Sequence, residues 1–96
     1  MAIRLIVSFA AAPGKVGELT QLYPARMRAA MEEPGCEQFE VFQSLLDPDR
    51  LVLLEKWTDQ AALDDHALLN KTRTPIPSGL RAGPSEREDY EYKRTR

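Results

Sequence analysis

Leu51-Val52-Leu53-Leu54-Glu55-Lys56-Trp57 is the stretch on which the fold turns. Aliphatic, β-branched and aromatic side chains dominate it, which is strand composition. Asp47-Pro48-Asp49 just before it is a turn signal, because Pro presets φ and Asp bonds its own backbone. Thr58 or Asp59 just after it can cap a helix. A strand with one wet face alternates apolar and polar residues. Residues 51–54 are apolar without a break. Both faces of this strand therefore seek cover, and a single layer of helices can supply only one.

Working outward, Ile3-Arg4-Leu5-Ile6-Val7-Ser8-Phe9 reads as another such strand, with Leu5, Ile6 and Val7 consecutive. Ala11-Ala12-Pro13-Gly14 turns the chain. Over 15–33 the apolar residues Val16, Leu19, Leu22, Tyr23, Met27, Ala30 and Met31 recur mostly at spacings of three and four, which predicts a helix. Pro24 interrupts it. In a regular helix it would cost about 3 kcal/mol, so a kink, or two segments meeting at 22–24, is expected. Glu33-Pro34-Gly35 stops the helix. Residues 36–44, with Phe39, Val41 and Phe42, predict a strand, and the helix capped at Thr58 or Asp59 runs to about Asn70. Its inward face carries Ala62, Leu63, His66 and Leu69. Residues 71–83 hold Pro75, Pro77, Gly79 and Gly83, a loop with at most one short helical turn. Residues 86–93 place Tyr90 and Tyr92 on one parity and predict a last strand, at an edge or exchanged between copies. The basic residues 93–96 read as a solvated tail.

The order β-α-β-β-α-β is an α+β, ferredoxin-like arrangement: one antiparallel sheet with both helices on one face. Burying an apolar side chain is worth roughly 1.5–3 kcal/mol, so the second face needs cover. Packing against the same face of a second copy, as a two-fold homodimer, supplies it. The loop after His66 folding over that face is the alternative.

The 96 residues make one domain, 1–96. Thirteen Lys+Arg against fifteen Asp+Glu give a net charge of -2, which speaks against a nucleic-acid binder. No apolar stretch reaches the roughly 18–20 residues of a membrane span, and no secretory signal is evident. A cytoplasmic protein with no membrane partner is expected, in a reducing compartment where the single Cys36 stays a thiol. One Cys and one His, His66, speak against a disulfide, a multi-Cys zinc site and a His-rich metal cage, so no metal is expected.

Glu33-Pro34-Gly35-Cys36 after a helix, Asp47-Pro48-Asp49-Arg50 in a turn, Glu55-Lys56-Trp57 ending a strand, 61–66 in the next helix and Ala82-Gly83-Pro84 before the last strand appear in that order. Together they resemble the antibiotic biosynthesis monooxygenase (ABM) family over essentially the whole chain. The resemblance implies a dimeric α+β barrel, with a pocket between sheet and helices in each subunit. It also implies cofactor-independent oxygenation of a quinol or polycyclic phenol, since several members work without flavin or metal. A non-catalytic dimer that binds a small molecule, or an isomerase or cyclase, are the other functions the family suggests. Fold alone does not choose among them.

Such oxygenation needs a dry pocket and a group to take the phenol proton, because the electron-rich anion can itself pass an electron to dioxygen. His66 matches the family's histidine and is the candidate proton acceptor. The alternative is a half-buried histidine bonded to a backbone carbonyl. Trp57 could stack on an aromatic substrate, or be a core or interface tryptophan. Tyr23, Phe9, Phe39 and Met27 are candidate pocket walls as well as core residues. Arg4 shares its parity on the first strand with Ile6 and Ser8, and an inward-facing arginine would need Glu40 or Glu55 as carboxylate partner. Cys36 reads as a small hydrophobe and Asp64-Asp65 as a solvated pair. Active relatives often carry a second histidine or aromatic pair after the first. Here 68–75 offers none, and Val7 stands where haem-degrading relatives use asparagine, so haem breakdown is not expected. Light scattering at micromolar concentration should give the mass of a dimer; a monomer mass would refute the proposed sheet-to-sheet packing.

Overall fold

The computed structural model describes residues 1–95, so the end of the predicted basic tail, Arg96, lies outside the described residues. Strand β1 (Ile3–Ala10) leads into helices α1 (Val16–Gln21) and α2 (Tyr23–Met31). Strands β2 (Cys36–Gln43) and β3 (Arg50–Trp57) follow, then helix α3 (Gln60–Asn70) and strand β4 (Glu86–Glu91). A short 3-10 turn, Ser78–Leu80, sits in the loop before β4. The sheet order is β2-β3-β1-β4 and every pairing is antiparallel. This is the ferredoxin-like order expected.

The expected interruption at Pro24 is a full break. Leu22 ends α1 and precedes α2, and Pro24 falls in the first turn of α2, where its missing N–H breaks no helical bond. The two pieces still present one stripe, burying Leu19, Tyr23 and Ala30.

Register decides what meets what. Phe39 pairs with Glu55, Glu55 with Leu5, and Leu5 with Asp89, one row across all four strands on the helix-covered face. Two apolar clusters fill the space under the helices. One joins Leu5, Ala30, Phe39, Trp57 and Leu63; the other joins Phe9, Ala11, Leu19, Tyr23 and Leu51. Met27 and Leu53 touch both. The loop over 71–83 sends Ile76 and Leu80 into the second cluster, on the helix side of the sheet. It is pinned there by Ala12 N–H to Leu80 O (2.9 Å) and Ala82 N–H to Ala10 O (2.9 Å).

The opposite face carries Ile6, Val52, Leu54 and Phe42, of which Phe42 is 45% exposed. Arg4 lies on this face, as its parity requires. Its partners are the side-chain oxygen of Gln38 and, at 3.5 Å, the backbone oxygen of Glu55. The carboxylate partner expected for it is not found among the described residues. The Glu55 side chain points to the other face, and Glu40 Oε1 instead accepts from Gln38 Nε2 at 3.0 Å. Among the described residues no helix is long and apolar enough to cross a membrane.

Gly35 fastens α3 to this frame. Its φ of +84° is a conformation that costs other residues about 1–3 kcal/mol. An added Cβ would lie 2.5 Å from Ala62 Cβ and 2.8 Å from Thr58 Oγ1, at the start of α3. Gly35 O accepts from Thr58 N–H at 2.8 Å, so the turn and the helix cannot move apart freely. Gly35→Ala should therefore lose about 3 kcal/mol of stability. Gly17→Ala, with nothing within 4 Å of the new Cβ, should lose none and gain up to about 1 kcal/mol. Urea midpoints of the two variants check the contrast.

Candidate functional site

Asp59 sets the start of α3, its side chain accepting from Ala62 N–H at 2.9 Å. From that cap, helical spacing turns Leu63 and His66 inward, and both are buried. Alternation along β3 puts Glu55 and Trp57 on the same covered face. Between α3 and the sheet lies a cavity of about 280 Å³. Leu5 and Glu55 form its floor, Leu63, His66, Ala67 and Asn70 one wall, Gln60 and Asp64 its rim, and Arg87 of β4 the far edge.

His66 is 7% exposed and held on three sides. Its Nδ1 lies 2.9 and 3.1 Å from the two carboxylate oxygens of Glu33, at the end of α2. The Glu33 side chain is 8% exposed and also accepts from Arg73 Nη1 at 2.8 Å. The Trp57 ring centre is 4.6 Å from the imidazole and that of Phe39 is 5.5 Å away. A carboxylate only accepts, so Nδ1 carries the hydrogen and a neutral ring keeps its lone pair on Nε2. Among the described residues Nε2 has no partner, and it is not sealed from solvent. The backbone carbonyl weighed as its partner is thus replaced by a buried carboxylate.

Glu55 is 6% exposed. Trp57 Nε1 donates to its Oε1 at 3.0 Å. Burial pushes the Glu55 carboxyl above its ordinary range, and the opposing pull of the Trp57 N–H, His66 and Arg87 does not offset it. Arg87 is committed to Asp89 by two bonds of 2.7 Å, a pairing that holds the Asp89 carboxyl low. Burial, with Glu33 and Glu55 nearby, pushes the Cys36 thiol up to about 11, which fits the inert small hydrophobe expected. Asp64, expected to be simply solvated, lines the cavity rim and accepts from Gln60 Nε2 at 2.8 Å. Among the described residues no three His, Cys, Asp or Glu side chains gather as a metal-binding group.

The candidate residues divide between the two apolar clusters. Trp57 and Phe39 surround His66, but Trp57 is 0% exposed and stands behind the ring, not on the cavity surface. Phe9 and Tyr23 face each other at 5.5 Å in the other cluster, where Arg81 donates to the Tyr23 hydroxyl. Met27 sits between the clusters, its Sδ accepting from Val41 N–H at 3.3 Å. None of these five side chains lines the cavity beside His66. The residues that do most to define the site were not singled out for it. Glu33 reads in sequence as a helix stop, and Arg73 as part of a loop. Glu55 carried a usable signal, a charge at the inward parity of a central strand two residues before Trp57.

The chain matches the family described as Antibiotic biosynthesis monooxygenase over residues 2–69. Among solved structures, a protein of Pseudomonas aeruginosa is 25% identical, with 97% of this chain and 95% of that chain covered and a TM-score of 0.81. A conserved protein of Methanosarcina mazei is 27% identical, covering 97% of this chain and 94% of that one, with a TM-score of 0.78. A protein of Nitrosomonas europaea, provisionally named an antibiotic biosynthesis monooxygenase, is 21% identical over 93% of this chain and 88% of that chain. Its TM-score is 0.78, a likeness of fold. No curated protein matches the chain.

The raised Glu55 pKa has a sign for stability. The folded state holds this proton more tightly than the unfolded chain. The associated stability is full below the ordinary value of 4.5 and is lost as pH rises through the folded-state value. Glu55→Gln removes that loss. Its unfolding temperature by calorimetry should exceed wild type near neutral pH, and the difference should close below the ordinary carboxylate range.

Proposed function

The chain belongs to the antibiotic biosynthesis monooxygenase family, and from that premise we propose that it is a cofactor-independent monooxygenase of a quinol or polycyclic phenol, with His66 as proton acceptor. The observation that carries this reading is the imidazole itself. Its Nδ1 is tied to the Glu33 carboxylate, and among the described residues its Nε2 has no partner at the wall of a cavity of about 280 Å³. A substrate hydroxyl placed there gives its proton to Nε2, and the electron pair stays on the oxygen. The anion passes an electron to dioxygen, and recombination at a ring carbon forms a carbon–oxygen bond. For a quinol oxygenated at a ring C–H the balance is quinol + O2 → hydroxyquinone + H2O, so the substrate supplies every electron.

Glu33 has a positioning role in this scheme. It fixes the tautomer and stabilises the imidazolium formed when the proton arrives, as carboxylates beside catalytic histidines do. Trp57 is the wall that keeps the ring from turning away from the cavity. The apolar face with Ile6, Val52, Leu54 and Phe42 packs on a second copy in a homodimer, which leaves the cavity free on the other side of the sheet.

A proton-moving isomerase is favoured by one observation, the polar character of the cavity, where Glu55, Gln60, Asp64, Asn70 and Arg87 outnumber the apolar side chains. Turnover under strict anaerobiosis selects it. For the oxygenase, metal-free protein should take up oxygen with at least one member of a quinol panel. His66→Ala should lower kcat by about 10²–10⁴-fold. Equal uptake by both proteins removes His66 from the chemistry.

A further inference from the structure

Two polar groups in the cavity beside His66 have the same construction. His66 has Nδ1 engaged by Glu33 and Nε2 free; Glu55 has Oε1 engaged by Trp57 and Oε2 without a protein partner among the described residues. Neither free atom is sealed away, and both residues line the same hollow. One indole positions both. Its N–H holds Glu55 at 3.0 Å while its ring centre lies 4.6 Å from the imidazole.

Packing alone does not account for a carboxyl at this position. Glu55 sits in the middle of the sheet between Phe39 and Leu5, where an apolar side chain would be the stable choice. No cation forms an ion pair with it among the described residues. The charged or titratable groups that face it are His66 and Asp64 of α3, Arg87 and Asp89 of β4, and Cys36 at the start of β2. Arg87, the one full cation of that set, is already occupied by Asp89. A carboxyl so placed is best accommodated neutral, and a neutral carboxyl can donate. A stability cost carried at a cavity wall is a mark of function.

We propose that Glu55 is a second catalytic group: from the cavity floor it donates a hydrogen bond to a second oxygen of the substrate while His66 takes the proton of the first, so the site selects compounds carrying two oxygens. The inference rests on the reading of this cavity as the substrate site. In the step, the substrate O–H bond breaks, an Nε2–H bond forms, and the electron pair stays on the substrate oxygen. Glu55 keeps its proton and lends only the hydrogen bond, so no oxidant or reductant enters.

Trp57, the single tryptophan of the chain, touches both groups and reports on them without a ligand. Its emission, titrated with pH in His66→Gln so that the imidazole does not contribute, should show a step above the ordinary carboxylate range, and none in the double variant His66→Gln/Glu55→Gln. Anaerobic calorimetry with 1,4-naphthohydroquinone and 1-naphthol then reads the second oxygen. Wild type should prefer the diol by about tenfold at pH below the step, as one good hydrogen bond implies, and lose that preference above it. Glu55→Gln, which keeps an acceptor for Trp57, should bind with no such pH dependence, and Glu55→Ala should show no preference. Should the alanine variant fail to fold, the glutamine profile decides alone. A step that persists in that double variant overturns the proposal. So does equal binding of the two compounds by wild type, or binding of neither. Oxygen plays no part in these measurements. Protein that binds as described yet never consumes oxygen sinks the oxygenase reading alone, and wild-type oxygen uptake by Glu55→Ala, which has no donor at this position, sinks this one alone.

Discussion

The burial of one indole constrains everything around it. Trp57 closes β3 with no solvent contact, and its neighbours are set by that fact. A buried indole N–H needs an acceptor, and Glu55, two residues earlier on the same face, is within reach. The ring face needs apolar or aromatic cover, which Leu63 and His66 of α3 provide from above. The side chain that stabilises this end of the molecule is therefore also the one that fixes both polar groups of the cavity. On the proposed reading, stability and chemistry share a single part, so substitutions at Trp57 cannot separate them.

Division of the interior into two clusters gives the molecule two ends with different characters. The end beneath α1 and the 3-10 turn is apolar, with Phe9, Leu19, Tyr23, Leu51, Ile76 and Leu80 closing over one another. The end beneath α3 admits ionisable side chains, with Glu33, Glu55, His66 and the adjacent Arg73. Met27 and Leu53 pass between them, so the apolar end acts as the platform against which the charged end is held. Buried charge is tolerated only where each group finds a partner, and Glu33 meets that condition twice over.

Much of the fold was legible because it is written in local pattern. Unbroken apolar runs at residues 5–7 and 51–54 mark central strands, and the spacing of Val16, Leu19, Tyr23 and Met27 marks the helix stripe. Pro24 marks the break within it. Periodicity reports which face a residue occupies but not how far along the sheet it sits. That is why Phe9 and Tyr23, rightly read as inward, lie at the end away from His66. Nor does it report what stands opposite. Glu33 is 33 residues from His66 and 40 from Arg73, and only the seating of the turn after α2 against α3 brings the three together. The inward direction of His66 was readable from the helix; the identity of its partner was not. Arg4 was placed on the correct face by parity, yet its neighbours there are an amide and a backbone oxygen, because parity also sends Glu55 to the other side.

Strand β4 has every residue exposed and a neighbour on only one side, yet it carries Arg87, the far edge of the cavity. Segments with little buried apolar contact separate from a fold at a small fraction of the global free energy. Amide exchange should thus be fastest along this edge and slowest in β3. On the proposed reading of the cavity, breathing of that strand would widen an already open mouth, with no hinged cover required, and a ligand's residence time would be set by how firmly its backbone ladder re-forms on β1.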